Sequence, residues 1–146
     1  MHPQRLWRRT GTAWTAALFL SAVAVGLSGS CGKNSFRQGE ILYANFCSNC
    51  HMPDGSGLGG NIPALAGSQV LAKQPGAVAC AVRYGLAASP AADGQAPGQP
   101  MPANPKLSDF EIANIINYIN HSWGNDFGYV QIGEVRDALE KCLNEK

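Results

Sequence analysis

Cys47-Ser48-Asn49-Cys50-His51 places two thiols two residues apart and an imidazole directly after the second. That spacing lets both sulfurs reach one edge of a porphyrin, whose two vinyl groups can each accept a thiol as a thioether. The covalent links fix where the adjacent ring can go, so His51 is tethered as proximal ligand of the iron. Two other chemistries use a Cys-x-x-Cys pair: a thioredoxin-like site places it at a helix start after a strand, and a structural zinc site adds a second ligand pair. Here the pair closes a helical pattern, and Cys80 and Cys142 are single and far apart. The motif predicts one covalently attached haem c, held by Cys47 and Cys50.

The surrounding chain bounds what such a group could do. With 146 residues, 45% hydrophobic and only 14% charged, it has room for one domain and an export segment, and a large multidomain enzyme is excluded. Eleven basic residues face ten acidic ones, but Arg5, Arg8 and Arg9 all precede residue 31 and no acidic residue does. Without those three the body is slightly acidic. Such a surface cannot neutralise many phosphates, so no nucleic-acid partner is expected. The 17 Gly and 9 Pro cluster inside the chain and predict long loops between few helices, an all-α fold.

Residues 1–30 read as an export signal: a basic start through Arg9, an apolar stretch from about Ala13 to Leu27, then Ser28, Gly29 and Ser30. The apolar stretch is shorter than the roughly 20 residues of a membrane-spanning helix, which weighs against a permanent anchor helix. The mature chain is expected to begin at Cys31. The small residues suit ordinary signal peptidase, and a cysteine straight after them also resembles the lipobox of bacterial lipoproteins, although Ser28 stands where Leu is usual. Lipidation of Cys31 is the reading adopted. Arg8-Arg9 is taken as ordinary leader charge, because a twin-arginine route carries folded cargo whereas haem attachment needs an unfolded passenger. Residues 31–35 then form a flexible tether, 36–124 the haem domain and 125–146 a C-terminal helical extension packed on it.

A low-spin haem needs a second axial ligand. Met1 and His2 leave with the leader, and Met52 is bonded to His51 and cannot reach round a porphyrin. Met101 and His121 remain. Met101 lies in Gln99-Pro100-Met101-Pro102, where two prolines stiffen a loop able to hold a weak thioether on iron. The alternatives are a gap-filling core role for Met101 and an interface or capping role for His121.

Hydrophobic periodicity places a helix over about 36–46, with Phe36, Ile41, Leu42 and Phe46 as its apolar contacts and Gly39 permitting close approach. Pro75 suits a first helical turn and Gly85 a stop, giving a short helix between them. Ser108 and Glu111 form a Ser-x-x-Glu capping box ahead of Ile112, Ile115, Ile116 and Ile119, an i, i+3, i+4, i+7 stripe ending near His121. Ile132, Val135, Leu139 and Cys142 mark a terminal helix. The stretch 86–105 lacks any period and reads as the loop carrying Met101.

In this order, residues 36–123 resemble the class I c-type cytochromes, small electron-transfer proteins of the bacterial cell envelope. The resemblance rests on Gly39 to Phe46, Cys47 to His51, Ile62-Pro63-Ala64-Leu65, Met101-Pro102 and the helix from Ser108. It implies a cytochrome c-like helical fold in which Gly39 meets an aromatic such as Tyr118, and in which the Pro63 carbonyl accepts a hydrogen bond from His51 Nδ1. A distal Met preceding Pro agrees with Met101. The implied function is a periplasmic or membrane-anchored one-electron carrier with His51 and Met101 as axial ligands. It would link a dehydrogenase or quinol oxidoreductase to a terminal oxidase or reductase. The alternatives are a permanently docked subunit of an envelope oxidoreductase and a haem enzyme or gas sensor with a labile Met101.

Other features take blander readings. Gly55-Ser56-Gly57-Leu58-Gly59-Gly60 fits Gly-x-Gly-x-x-Gly, but no strand precedes it, so it is no dinucleotide site. Asn120-His121-Ser122 is taken as a chance glycosylation sequon. Arg83 is read as a solvated helix-end residue rather than a propionate partner, and Trp123 as a packing anchor. Cys80 and Cys142 form either a disulfide pinning the terminal helix or two separate buried thiols.

Overall fold

The computed structural model of the chain describes residues 35–88 and 98–144. The expected leader, Cys31 and nearly all of the 31–35 tether lie outside them, as does part of the Met101 loop. The described residues from Phe36 onward form one compact unit. Among the described residues the elements are α1 (Arg37–Phe46), α2 (Ser48–His51), α3 (Gln69–Lys73), α4 (Pro75–Tyr84), α5 (Asp109–Asn120) and α6 (Ile132–Asn144). Within that range there are no strands, only isolated bridges at Leu58–Ile62 and Leu86–Met101.

The spine is α5. Its capping box is complete: Ser108 Oγ accepts from the Glu111 N–H at 3.3 Å, and Glu111 accepts from the Ser108 N–H at 2.8 Å. Both bonds satisfy donors that a helix start otherwise leaves unpaired. Ile112, Ile115, Ile116 and Ile119 are all buried. Each contributes about 1.5–3 kcal/mol relative to an exposed side chain. Pro75 begins α4, and Gly85 ends it at φ 76°.

The first helix crosses α5 at Gly39. A Cβ there would overlap the Asn114 carbonyl oxygen and stand 2.7 Å from Tyr118 Cβ, so only glycine permits this approach. Tyr118 is thus the aromatic at the crossing. The expected contact face of α1 needs correction: Ile41 and Phe46 are 48% and 52% exposed, and Tyr43 is the buried side chain. Tyr43 lies one turn from Gly39 on the same face, whereas Ile41 points away from it. Phe46 ends the helix about two turns beyond the crossing. Phe36, which caps α1, stacks on His121 with ring centroids 4.4 Å apart.

The terminal helix packs on α4 and α5 through Val135 and Leu139, both buried, while Ile132 is exposed. Cys80 on α4 and Cys142 on α6 are joined in a disulfide with Cα atoms 6.3 Å apart. Three buried amides tie the connecting segment down. Asn117 donates to the Val130 carbonyl and accepts from its N–H, and Asn120 donates to the Gly128 carbonyl at 2.9 Å. Asn125 donates to the Ile119 and Leu65 carbonyls and accepts from the Gly67 N–H.

Candidate cofactor site

The end of α1 hands the chain to α2 without a break in hydrogen bonding: the Cys47 N–H donates to Tyr43 O and the His51 N–H to Cys47 O, each at 2.9 Å. One helical turn therefore holds both thiols and the imidazole. Cys47 is half-buried and Cys50 exposed, and neither is in a disulfide. Burial, helped by nearby Cys50, pushes the Cys47 thiol up to about 11. A redox-active Cys-x-x-Cys needs the opposite shift, because the thiolate is its nucleophile.

His51 Nδ1 lies 3.2 Å from the Pro63 carbonyl oxygen. A carbonyl only accepts, so Nδ1 carries the proton and Nε2 keeps a lone pair. Burial lowers the pKa of this imidazole, and the bond to Pro63 works against that shift. Gly57 makes the contact possible. At φ 69°, a Cβ on it would stand 2.8 Å from the Pro63 carbonyl oxygen. Gly55 is buried against the Trp123 ring. These two glycines serve close packing of the loop after His51 and form no phosphate cradle.

Met101 is positioned by a different set of backbone bonds. Its N–H donates to Leu86 O and its carbonyl accepts from the Leu86 N–H, each at 3.0 Å. A Cβ on Gly85 would come within 2.6 Å of the Met101 oxygen, so α4 has to end in glycine for this bridge to form. The Asn104 N–H donates to Val82 O at 2.9 Å and ties the following turn to α4.

His51, Cys47 and Met101 line one cavity of about 320 Å³, whose other walls include Leu65, Val82, Ile115 and Ile119. The donor set fits an iron porphyrin. Two unpaired thiols stand in one turn with a ring nitrogen that keeps its lone pair, a thioether shares the chamber, and the walls are apolar enough to take a large flat ring.

Other expected residues are elsewhere. His121 is not part of the cavity wall; it caps α5, with Nδ1 2.9 Å from Asn117 O. Arg83 is not a solvated helix-end residue. It donates to Asp109 at 2.7 Å with its side chain only 20% exposed, because α4 turns this position toward the start of α5. The Asn120 side chain is buried and engaged with Gly128, so in the folded chain the sequon is closed to a glycan. Trp123 packs edge-on against Tyr118 and donates to Pro53 O at 3.1 Å.

Residues 36–123 match the family described as Cytochrome c. The chain belongs to that family. Membership brings a covalently bound haem c, which the two thiols and the imidazole already suit. Among similar proteins, the cytochrome c subunit of a quinone alcohol dehydrogenase from Gluconobacter oxydans is 35% identical over 91 residues, covering 60% of this chain and 19% of that protein. Cytochrome c-552 of Thermus thermophilus is 34% identical over 91 residues, covering 60% of this chain and 69% of that one. The corresponding alcohol dehydrogenase subunit of Gluconacetobacter polyoxogenes is 33% identical over 97 residues, with 64% and 20% covered. This chain thus spans about a fifth of the dehydrogenase subunits it matches.

The sequence reading of this cytochrome c domain missed Tyr43 and Asn125, which brace the loop around His51. Tyr43 carried a signal, standing one turn from Gly39 on the close-contact face. Asn125 carried none.

Proposed function

We propose that this protein is a one-electron carrier of the cell envelope, built around a single covalently attached haem. Cys47 and Cys50 would hold the group as thioethers, with His51 as proximal and Met101 as distal ligand. When bound, the haem supplies an iron that takes up and releases one electron. The chain's part is to bind, orient and exclude. Pro63 keeps the His51 proton on Nδ1, the Leu86 bridge holds the Met101 loop, and the apolar walls keep water out and disfavour extra positive charge. With His51 and Met101 both holding the iron, no position on it would be left for a reactant. The observation that carries the reading is the convergence of His51, Cys47 and Met101 on one apolar cavity.

An absorption spectrum in alkaline pyridine tests it, with the intact mass of the mature protein. The expected result is a thioether-linked haem at one per chain, with a far-red band of the native ferric protein reporting sulfur ligation. A mass equal to the amino acids alone, or bound zinc, overturns it.

The donor is proposed to be a dehydrogenase or quinol oxidoreductase, and the acceptor a terminal oxidase or reductase. Permanent docking in such an enzyme is the second reading, supported by the two similar proteins that are named as subunits of an alcohol dehydrogenase. Purification alone or in a fixed complex separates the two. For location we propose export to the periplasm or the outer face of the cytoplasmic membrane through the leader 1–30, with a lipid on Cys31. Ser28, Gly29 and Ser30 ahead of that cysteine support the anchor. A mature N-terminal peptide without added acyl mass would remove it.

A further inference from the structure

Immediately after His51 the backbone enters a conformation that L-residues rarely take. Met52 stands at φ 62° and ψ 154°, a region otherwise occupied almost only by glycine. Such a residue persists only when its surroundings over-determine it. Here three bonds do so. The Tyr43 hydroxyl donates to the Met52 carbonyl at 2.7 Å, the Gly55 N–H donates to the same oxygen at 3.1 Å, and the Trp123 indole N–H donates to the Pro53 carbonyl at 3.1 Å.

The two aromatic donors are themselves held firmly. Tyr43 is 2% exposed, and the Tyr43, Tyr118 and Trp123 rings pack with centroids 5.1–5.6 Å apart. Trp123 also adopts a positive φ, 54°, and its ring covers Gly55 so closely that a Cβ there would overlap it. The Tyr43 hydroxyl reaches past its own helix to a carbonyl in the turn next to His51. Burial raises its pKa above the usual phenol value.

We infer that Tyr43 and Trp123 are positioning residues that clamp the strained turn after His51 and thereby set the orientation of its imidazole. The ring is attached to a backbone fixed on one side by the α2 turn and on the other by Met52–Pro53. Releasing Met52 lets the backbone relax toward an ordinary conformation. The movement passes to His51 and to the angle at which its Nδ1 meets the Pro63 carbonyl. The inference rests on the reading of His51 as haem ligand.

The test uses the haem-loaded protein and its Tyr43→Phe, Trp123→Phe, Met52→Gly and Tyr43→Phe/Met52→Gly variants. The spread of haem-methyl proton resonances in the oxidised protein follows the orientation of the axial imidazole and is recorded beside the thermal midpoint. Each Phe variant should rearrange that spread. Met52→Gly alone should leave it in place without lowering the midpoint, because glycine holds this conformation unstrained. The double variant should return it toward the parent pattern, since the turn no longer needs its clamp. A lowered midpoint with unmoved resonances in the Phe variants would show a merely structural role and overturn the inference. Resonances that move but are not restored by glycine overturn it too. Failure of the underlying reading looks different: no variant, nor the parent, would then give a thioether-linked haem in alkaline pyridine.

Discussion

Asn117, on the buried face of α5, donates to the Val130 carbonyl at 2.9 Å and accepts from the Val130 N–H at 2.8 Å. One amide therefore satisfies both backbone groups of Val130. Asn117→Ala leaves two buried backbone groups without partners, at a cost of about 2–3 kcal/mol. Denaturant unfolding should show this loss, and a change under about 0.5 kcal/mol would mean that water substitutes for the amide.

Gly39→Ala sets two effects against each other. Alanine is the better helix former by about 1 kcal/mol, but its methyl group has to displace a backbone oxygen of Asn114. A main-chain atom cannot move aside by rotation, so the helices have to separate, and overpacking of this kind costs about 1–3 kcal/mol or more. The expected outcome is a lower thermal midpoint, and an unchanged or raised one would contradict the close crossing.

Replacing both Cys80 and Cys142 by Ser removes a crosslink that spans 62 residues. By chain entropy its stabilisation is about 4 kcal/mol. The loss should be greatest in α6. Hydrogen exchange is expected to accelerate over 132–144 before it does in α5, and uniform acceleration would show that the two helices unfold as one unit.

The Glu111 carboxylate is held below its ordinary pKa by hydrogen bonds from the Ser108 backbone and then its hydroxyl. A group whose pKa is lower in the folded chain stabilises fully above its unfolded value, near 4.5, and loses that contribution as pH falls through the folded one. Wild type should thus exceed Glu111→Gln in stability at about pH 7, and the gap should narrow at about pH 3. Denaturant curves at several pH values check it, and a gap that widens in acid would reverse the sign. Ser108→Ala, which removes the other half of the box, should cost about 1 kcal/mol.

Met101→Ala should abolish the far-red band of the ferric protein and lower its reduction potential, because a thioether favours the ferrous state. Rapid binding of carbon monoxide to the reduced variant, absent in wild type, is the direct readout. A spectrum unaltered by the substitution would assign the distal position to another residue.

Local signals were legible where they act locally. The Ser108–Glu111 box, Pro75, Gly85 and the isoleucine stripe of α5 each specify an element from residues a few positions apart, and α4 and α5 lie where those signals put them. The Cys47–His51 spacing was equally local, and it places both free thiols and the imidazole in one helical turn. What could not be read depends on which neighbour a side chain meets. Ile41 and Phe46 looked like core and are exposed, since apolar character does not say which side of α1 faces α5. Arg83 meets Asp109 across 26 positions, and Asn125 meets Leu65 across 60. Polar residues such as Asn117 and Asn120 are ordinarily placed outside, and only the backbone of 128–130 explains their burial.

The disulfide between α4 and α6 gives this chain two cysteine pairs with opposite needs. Cys80 and Cys142 are oxidised to each other, whereas under the proposed haem attachment Cys47 and Cys50 would have to be reduced when they add to the porphyrin vinyl groups. Both demands fall on one polypeptide, so haem loading of recombinant protein is expected to depend on thiol management as well as on haem supply.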